Sequence, residues 1–357
     1  MLSWLRILAI LFFPLPLFYT FLVYLRNKLY DIGWFKSYKL PAMVISIGNI
    51  QLGGTGKTPM VQFLAETLIE QKNQPVILTR GYKRKNIQSI VVNSSNRQQI
   101  TVDEIGDEPF LLSRNLPQVT IAVDANRRRA ALQVLKTNPD LTFILDDGFQ
   151  HRSVRRDLDI VLVDCSRWSS LPVLFPLSHF RDLPSSLKRA QVIILTHWEH
   201  DLKASEKLSR QLASCCQVPV FHGLYEAIAL QGISHTHTRL LEELKNKKIA
   251  VFCGIAQPSA LVNSLLKLGA NVCWKGIYRD HYSYQARDVQ EISRQAWSAG
   301  AEYIITTQKD AVKLATVKIL LNERWFFLQI GFEIQERSEF VGFIKNHLAR
   351  FDPAINK

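Results

Sequence analysis

The 357-residue chain has little cysteine, a shortage of acid relative to base, and no internal repeat or low-complexity tract. Its five cysteines are odd in number. Cys215 and Cys216 are adjacent, while Cys165, Cys253 and Cys273 form no C-x-x-C pair. That usage excludes a disulfide scaffold and fits structural thiols in a reducing compartment. Nor is the chain poor in apolar residues: 47% are hydrophobic, enough for one large or two ordinary cores and too many for a disordered chain. Asp plus Glu number 31 against 44 Lys plus Arg, a formal charge of +13 that favours anionic partners without choosing among nucleic acid, anionic lipid and phosphorylated substrate. No helicase-like motif array or RNA-binding module accompanies the charge, so no nucleic-acid partner is expected. A guanine-reading N-K-x-D motif is also missing, because "TQKD" sets Lys309 and Asp310 side by side.

What is present begins at the N-terminus. Residues 7–25 ("ILAILFFPLPLFYTFLVYL") carry no charge and are bracketed by Arg6 and Arg26. A cleavable signal peptide would have a shorter apolar run and a small-residue cleavage site, and neither is seen. The run is close to the roughly 20 residues a spanning helix needs, but Pro14 and Pro16 interrupt it. A membrane-inserted or interfacial helix over residues 1–30 is therefore expected, with a buried N-terminal helix as the alternative. Arg26, Lys28, Lys36 and Lys39 follow, where they would meet anionic headgroups and keep the rest of the chain cytoplasmic.

Beyond this segment, apolar β-rich runs alternate with helical patterns. "MVISIG", "PVILTR", "VTIAVD", "TFILDD", "DIVLVD" and "VIILTH" read as strands of a parallel sheet with helices on both faces. This unit covers residues 31–228. Residues 229–248 read as a connection, and "IAVFCGIA", "NVCWKGIY", "YIITTQKD" and "RWFFLQIG" predict a smaller α/β domain over 249–357.

Between the first strand and a helical run lies "GNIQLGGTGKTP", a phosphate-loop pattern that has Gln51 where G-x-x-x-x-G-K-[ST] asks for Gly. Gly53, Gly54 and Gly56 let backbone amides turn toward phosphate, Lys57 supplies a cation, and Thr58 offers a hydroxyl suited to Mg²⁺. Gly48 provides an earlier turn. Asp146 and Asp147 end the apolar strand "TFILDD", as a Walker B strand would, and two carboxylates there call for a metal or cations. Thr58, Asp146 and Asp147 are the expected metal residues. His235 and His237 in "SHTHTR" lack further ligands, and no zinc is assigned.

In that order, "GNIQLGGTGKTP", "LTRGYKRK", "IGDEPFLL", "LDDGFQHR", "YRDHYSY" and "TQKDAVKL" resemble the tetraacyldisaccharide 4'-kinase (lipid A 4'-kinase) family, from about Ile7 to Leu314. The resemblance implies a P-loop NTPase-like kinase core that uses ATP and Mg²⁺ to phosphorylate the 4'-hydroxyl of an anionic disaccharide lipid, at the cytoplasmic face of the inner membrane. It also implies that Gln51, Leu52, Gly53, Gly54, Thr55, Gly56, Lys57 and Thr58 cradle the nucleotide. Asp107 matches the proposed catalytic carboxylate and His281 its partner, with Lys57 on the transferred phosphate. A sugar hydroxyl is a weak nucleophile, so a carboxylate that accepts its proton has a direct role. A helix N-cap ahead of "EPFLLSR" is the alternative role for Asp107. Asn49, Arg80, Tyr82, Gln150, His151 and Arg181 match positions near the phosphates or the disaccharide. Most of the arginines at 127–129 and 155–156 read as solvated. The chain departs from the family at "SHFRDLP", where Ser178 and His179 replace a Gly-Pro-Leu-type turn. A nucleotide-dependent, membrane-associated binding switch shares the loop and the carboxylates and is the rival reading.

Overall fold

A computed structural model describes residues 14–351, apart from 55, 83, 139, 170, 235–236, 315–316 and 318–320. Thr55, His235 and the first part of the uncharged N-terminal run lie outside the described residues. In chain order the strands are β1 Met43–Asn49, β2 Pro75–Thr79, β3 Ile90–Val92, β4 Thr120–Val123, β5 Thr142–Asp146, β6 Leu158–Asp164, β7 Val192–Thr196, β8 Val220–Gly232, β9 Thr238–Arg239, β10 Lys248–Cys253, β11 Asn271–Ile277, β12 Tyr303–Thr307 and β13 Trp325–Ile334. They join one sheet in the order β11-β10-β12-β13-β8-β7-β6-β1-β5-β2-β4-β3, with β9 on β8. The architecture is mixed α/β with a large, mostly parallel sheet, and each of the ten apolar runs named above lies on a strand.

The central strands are apolar throughout because helices cover both faces; β1, β2, β5, β6 and β7 are buried along their whole length. β8 differs. It pairs parallel with β7 over Val220–His222, then antiparallel with β13 from Gly223 to Gly232, so one strand belongs to both halves of the sheet. Residues 229–232, expected to open a connection, are the end of this strand. Their hydrogen bonds go to β13, and the interleaving of polar and apolar residues along "VFHGLYEAIALQG" hides the strand from a search for continuous apolar runs.

Near the N-terminus a helix runs over Pro14–Asp31. The two prolines that seemed to interrupt it sit in its first turn, where no intrahelical N–H bond is lost. Val23 and Asn27 are buried on one side of this helix and Thr20 half-buried, whereas Leu17, Phe18, Phe21, Leu22, Tyr24 and Leu25 are exposed. The buried side is pinned by polar contacts: Asn27 Nδ2 donates to Asp182 Oδ1 (2.9 Å) and Ser186 Oγ (3.1 Å).

At the other end of the chain, the helix Arg337–Ala349 returns to the core of the first half. Phe340 is fully buried there against Phe63 and Phe221, with ring centroids 6.2 and 5.4 Å away. Phe340→Ala is expected to destabilise the protein by about 3–5 kcal/mol. Chemical denaturation followed by tryptophan fluorescence and by circular dichroism should show the two halves shifting together, because the cavity opens in a core they share.

Candidate active site

The phosphate loop leaves the carboxyl end of β1, at the crevice where open α/β sheets bind ligands. Gly53 and Gly56 have φ of 97° and 73°, left-handed values that suit glycine, and Gly56 caps the helix Lys57–Glu70. The amides at that helix N-terminus form an anion site. Gln51, the departure from the usual pattern, is fully buried. Its Nε2 donates to the Asp164 carbonyl (2.9 Å), and its Oε1 accepts from the Asp164 N–H (2.8 Å). The side chain thus fastens the loop entry to the end of β6, with both ends of its amide bonded there. Lys57 Nζ lies 3.4 Å from Asn49 Oδ1 and 3.5 Å from Asp147 Oδ1.

Two carboxylates follow β5 in very different states. Asp147, in the left-handed region at φ 50°, is bound by both Nη atoms of Arg181 and paired with Lys57. Burial alone would raise its carboxyl, but Lys57 and Arg181 hold it well below the usual carboxylate range. Asp146 accepts a hydrogen bond from Thr79 Oγ1 (2.9 Å) and has no cation of that quality. Burial, with the charges of Glu108 and Asp147 beside it, pushes its carboxyl up to about 6. Arg127, from a run in which most arginines read as solvated, is buried, and the charges of this pair oppose the desolvation of its guanidinium. Arg128 stacks on Tyr38 and Arg129 pairs with Asp124, so only the first residue of that run turns inward.

Across the crevice, Asp107 opens the helix Asp107–Asn115, but Gly106 occupies the N-cap position and no side-chain cap forms. The Asp107 carboxylate turns to the other half of the chain instead: His281 Nδ1 lies 3.1 Å from its Oδ2, and Lys313 Nζ 3.8 Å. The tautomer follows from the neighbours. Lys309 Nζ, which as an ammonium only donates, is 3.2 Å from His281 Nε2. Nε2 therefore accepts and Nδ1–H donates to Asp107. Burial would raise the Asp107 carboxyl, yet the His281 hydrogen bond and the charges of Lys313 and Lys309 keep it below its ordinary value. It is a carboxylate at neutral pH, able to take a proton.

With this geometry in place, the relatives are informative. A model of the tetraacyldisaccharide-1-P 4'-kinase family matches residues 8–349. The chain belongs to that family. The tetraacyldisaccharide 4'-kinase of Syntrophus aciditrophicus is 34% identical over 341 residues, spanning 93% of this chain and 91% of its own. That of Bdellovibrio bacteriovorus is 32% identical over 327 residues, spanning 90% and 94%. Among solved structures, LpxK from Aquifex aeolicus in complex with ATP superimposes with a TM-score of 0.76 at 29% identity, covering 95% of this chain and 99% of that one.

In this member of the tetraacyldisaccharide 4'-kinase family, the remaining motif residues form two groups. Asn49, Gln150 and Arg181 are knit together behind the loop: Gln150 Nε2 donates to the Asn49 carbonyl at 2.8 Å, and Arg181 Nη2 to the same oxygen at 3.4 Å. Arg80 and Tyr82 are exposed at the rim, with the Tyr82 ring 5.4 Å edge-on to His281. His151 is driven down to about 4 by burial and by the charges of Arg127, Arg156 and Arg80, so it is a neutral imidazole that bonds Ser153 Oγ at 3.0 Å. Glu108, Arg127, Lys309 and Lys313 were given no site role from the sequence, although Glu108 lies within "GDEP" and both lysines within "TQKDAVKL". Ser178 of the divergent turn bonds the Val173 carbonyl, and the His179 carbonyl accepts from Leu52 N–H (2.7 Å), so this segment braces the loop through its backbone.

The raised Asp146 carboxyl has a measurable consequence. Its native value of about 6 exceeds the ordinary 3.8, so the native state holds this proton more tightly than the unfolded chain and pays for ionisation as pH rises from about 4 to 6. In the nucleotide-free protein, Asp146→Asn should therefore raise stability near pH 7.5 by on the order of 1–3 kcal/mol. The gain should fade as pH drops through about 6 toward 4. Thermal melts across that range check it.

Proposed function

We infer that this chain is an ATP-dependent kinase that phosphorylates the 4'-hydroxyl of a tetraacyl disaccharide 1-phosphate lipid. The observation that carries the reading is the Asp107–His281 pair, brought together from sites 174 positions apart, beside Glu108, whose charge bears on Asp146 at the end of β5. A nucleotide-dependent binding switch is not favoured, since it has no use for an ionised proton acceptor assembled across the crevice.

Chemistry at the pair follows from its hydrogen bonds. Asp107 accepts the proton of the sugar hydroxyl as the oxygen attacks phosphorus, while His281 Nδ1–H fixes the second lone-pair direction of the carboxylate. Lys57 supports charge on the transferring phosphoryl group, where a preorganised cation counts for more than in water. We assign the nucleotide to residues 51–58 and the acceptor to the side lined by Arg80, Tyr82, Gln150 and His151. Asn49 and Arg181 hold Lys57 and Asp147 in place.

Among the described residues, no group of three or more His, Cys, Asp or Glu could hold a metal unaided. That suits Mg²⁺, which is usually bound by one or two carboxylates together with substrate phosphates and water. Thr58, Asp146 and Asp147 would hold it, and the crowding of Asp146 by Asp147 and Glu108 fits a cation there. When bound, the ion would neutralise phosphate charge.

We further propose that the helix Pro14–Asp31 rests on the cytoplasmic face of the inner membrane. Among the described residues, no helix is long and apolar enough to cross a bilayer. An interfacial role suits the exposed apolar face, continued by Ile32 and by Trp34, which is 75% exposed. Phe18→Glu with Phe21→Glu should cut sedimentation with anionic vesicles several-fold and leave the melting temperature unchanged, because both rings face away from the body. Full sedimentation after a high-salt wash would place the contact elsewhere.

Transfer of γ-labelled phosphate from ATP to the purified lipid tests the activity itself. Lys57→Ala should abolish most transfer. Asp107→Ala should lower kcat by roughly 100-fold or more, with His281→Ala similar or milder. The double variant should be little worse than the poorer single one, since groups acting as a unit are non-additive. An unchanged kcat in Asp107→Ala would remove the carboxylate from the reaction.

A further inference from the structure

Arg167, which no motif singles out, follows β6 in the turn Cys165–Arg167. Its guanidinium packs against Gly53 of the phosphate loop, in the space a Cβ would fill. Three partners hold it there. Nη1 donates to the Leu52 carbonyl (2.7 Å), Nε faces Asp164 Oδ2 (3.5 Å), and Nη2 donates to Gln257 Oε1 (2.9 Å). Leu52 lies in the nucleotide loop, whereas Gln257 ends the 254–257 turn that leaves β10 in the other half. That same turn holds His281. The Gly254 carbonyl accepts from His281 N–H (3.1 Å), and Gly254 N–H donates to Asp310 Oδ2 (3.0 Å), the carboxylate that pairs with Lys313 (3.1 Å). His281 has φ 60°, a left-handed backbone that a non-glycine residue keeps only when its surroundings impose it.

We propose that Arg167 is a positioning residue, which clasps Gln257 to the nucleotide loop and so sets the 254–257 turn that orients His281 toward Asp107. This rests on the reading of Asp107 and His281 as the proton-accepting pair. The clasp would make the geometry of that pair depend on the geometry of the phosphate loop, with no side chain in common between them. Displacement of a catalytic group by about 1 Å can cost on the order of 100-fold in rate, so a partial release of the turn is expected to cost kcat about 10-fold.

The test is a double-mutant cycle in the full-length protein, with steady-state phosphoryl transfer to the lipid as readout. Gln257→Leu should lower kcat about 10-fold with little change in KM for ATP, and Gln257→Glu, whose carboxylate still accepts from Arg167, should recover most of it. Arg167→Ala should match Gln257→Leu in kcat. In a His281→Ala background, Gln257→Leu should add less than about twofold, because groups acting through one another are non-additive. A kcat for Gln257→Leu within twofold of the parent, or the same loss with and without His281, overturns the clasp. If Arg167→Ala does not fold, the Gln257 variants decide alone. Parent-like activity of His281→Ala would instead refute the proton-accepting pair, which separates the two failures.

Discussion

One strand constrains everything above it. Because β8 pairs with β7 at its start and with β13 along the rest of its length, the two halves of the sheet share a backbone hydrogen-bond ladder and cannot move as loosely tethered bodies. Backbone ladders are directional, so the sharing sets orientation as well as proximity. The turn after β10 is thereby held against Arg167 beside the phosphate loop, and the helix Gln308–Leu314 against the helix Asp107–Asn115. The Asn115–Gln308 amide pair (2.8 Å) and the Lys309–Glu108 ion pair (3.3 Å) close the same gap from the side.

Within that frame the charges are unequal by design of their neighbours. Asp147 is paired with two cations, Asp107 with a histidine and two lysines, and Asp146 with a threonine hydroxyl. Adjacent residues in sequence therefore have carboxyls shifted in opposite directions. On the proposed reading, separating titration behaviour in this way leaves one carboxylate to organise cations and another, Asp107, to receive a proton, without any change of residue type.

Much of this was legible in the sequence, and the reasons for the rest are physical. Fully buried parallel strands announce themselves as apolar runs, and Gly-rich loops before helices carry a pattern imposed by phosphate geometry. β8 was missed because a half-exposed strand with polar residues interleaved has no such run. Gln51 read as a flaw in the motif; its function depends on the backbone of Asp164, more than a hundred positions away, which spacing alone does not reveal. From the sequence alone Asp107 could be a helix cap or a proton acceptor; the structure gives the cap position to Gly106. Arg127 looked like its two neighbours in the sequence. Only helix phase separates the inward-facing member from the others, and the relevant phase is set by the N-cap at Asn126.

Asp182 helps to join two features of the fold. Its carboxylate accepts from Asn27 on the N-terminal helix and from Gln150 beside the phosphate loop (3.2 Å), and Arg152 donates to the Asn27 carbonyl (2.9 Å) and pairs with Asp31 (2.8 Å), so polar contacts tie the apolar helix to the segment that follows β5. On the proposed placement of that helix in the headgroup layer, the tie would act as a ruler. The crevice would then stand at a set height above the acyl chains, and a substrate would be measured by whether its sugars reach that height while its tails remain in lipid. Soluble disaccharides lacking tails would lose this alignment and would have to find the crevice by free diffusion in three dimensions.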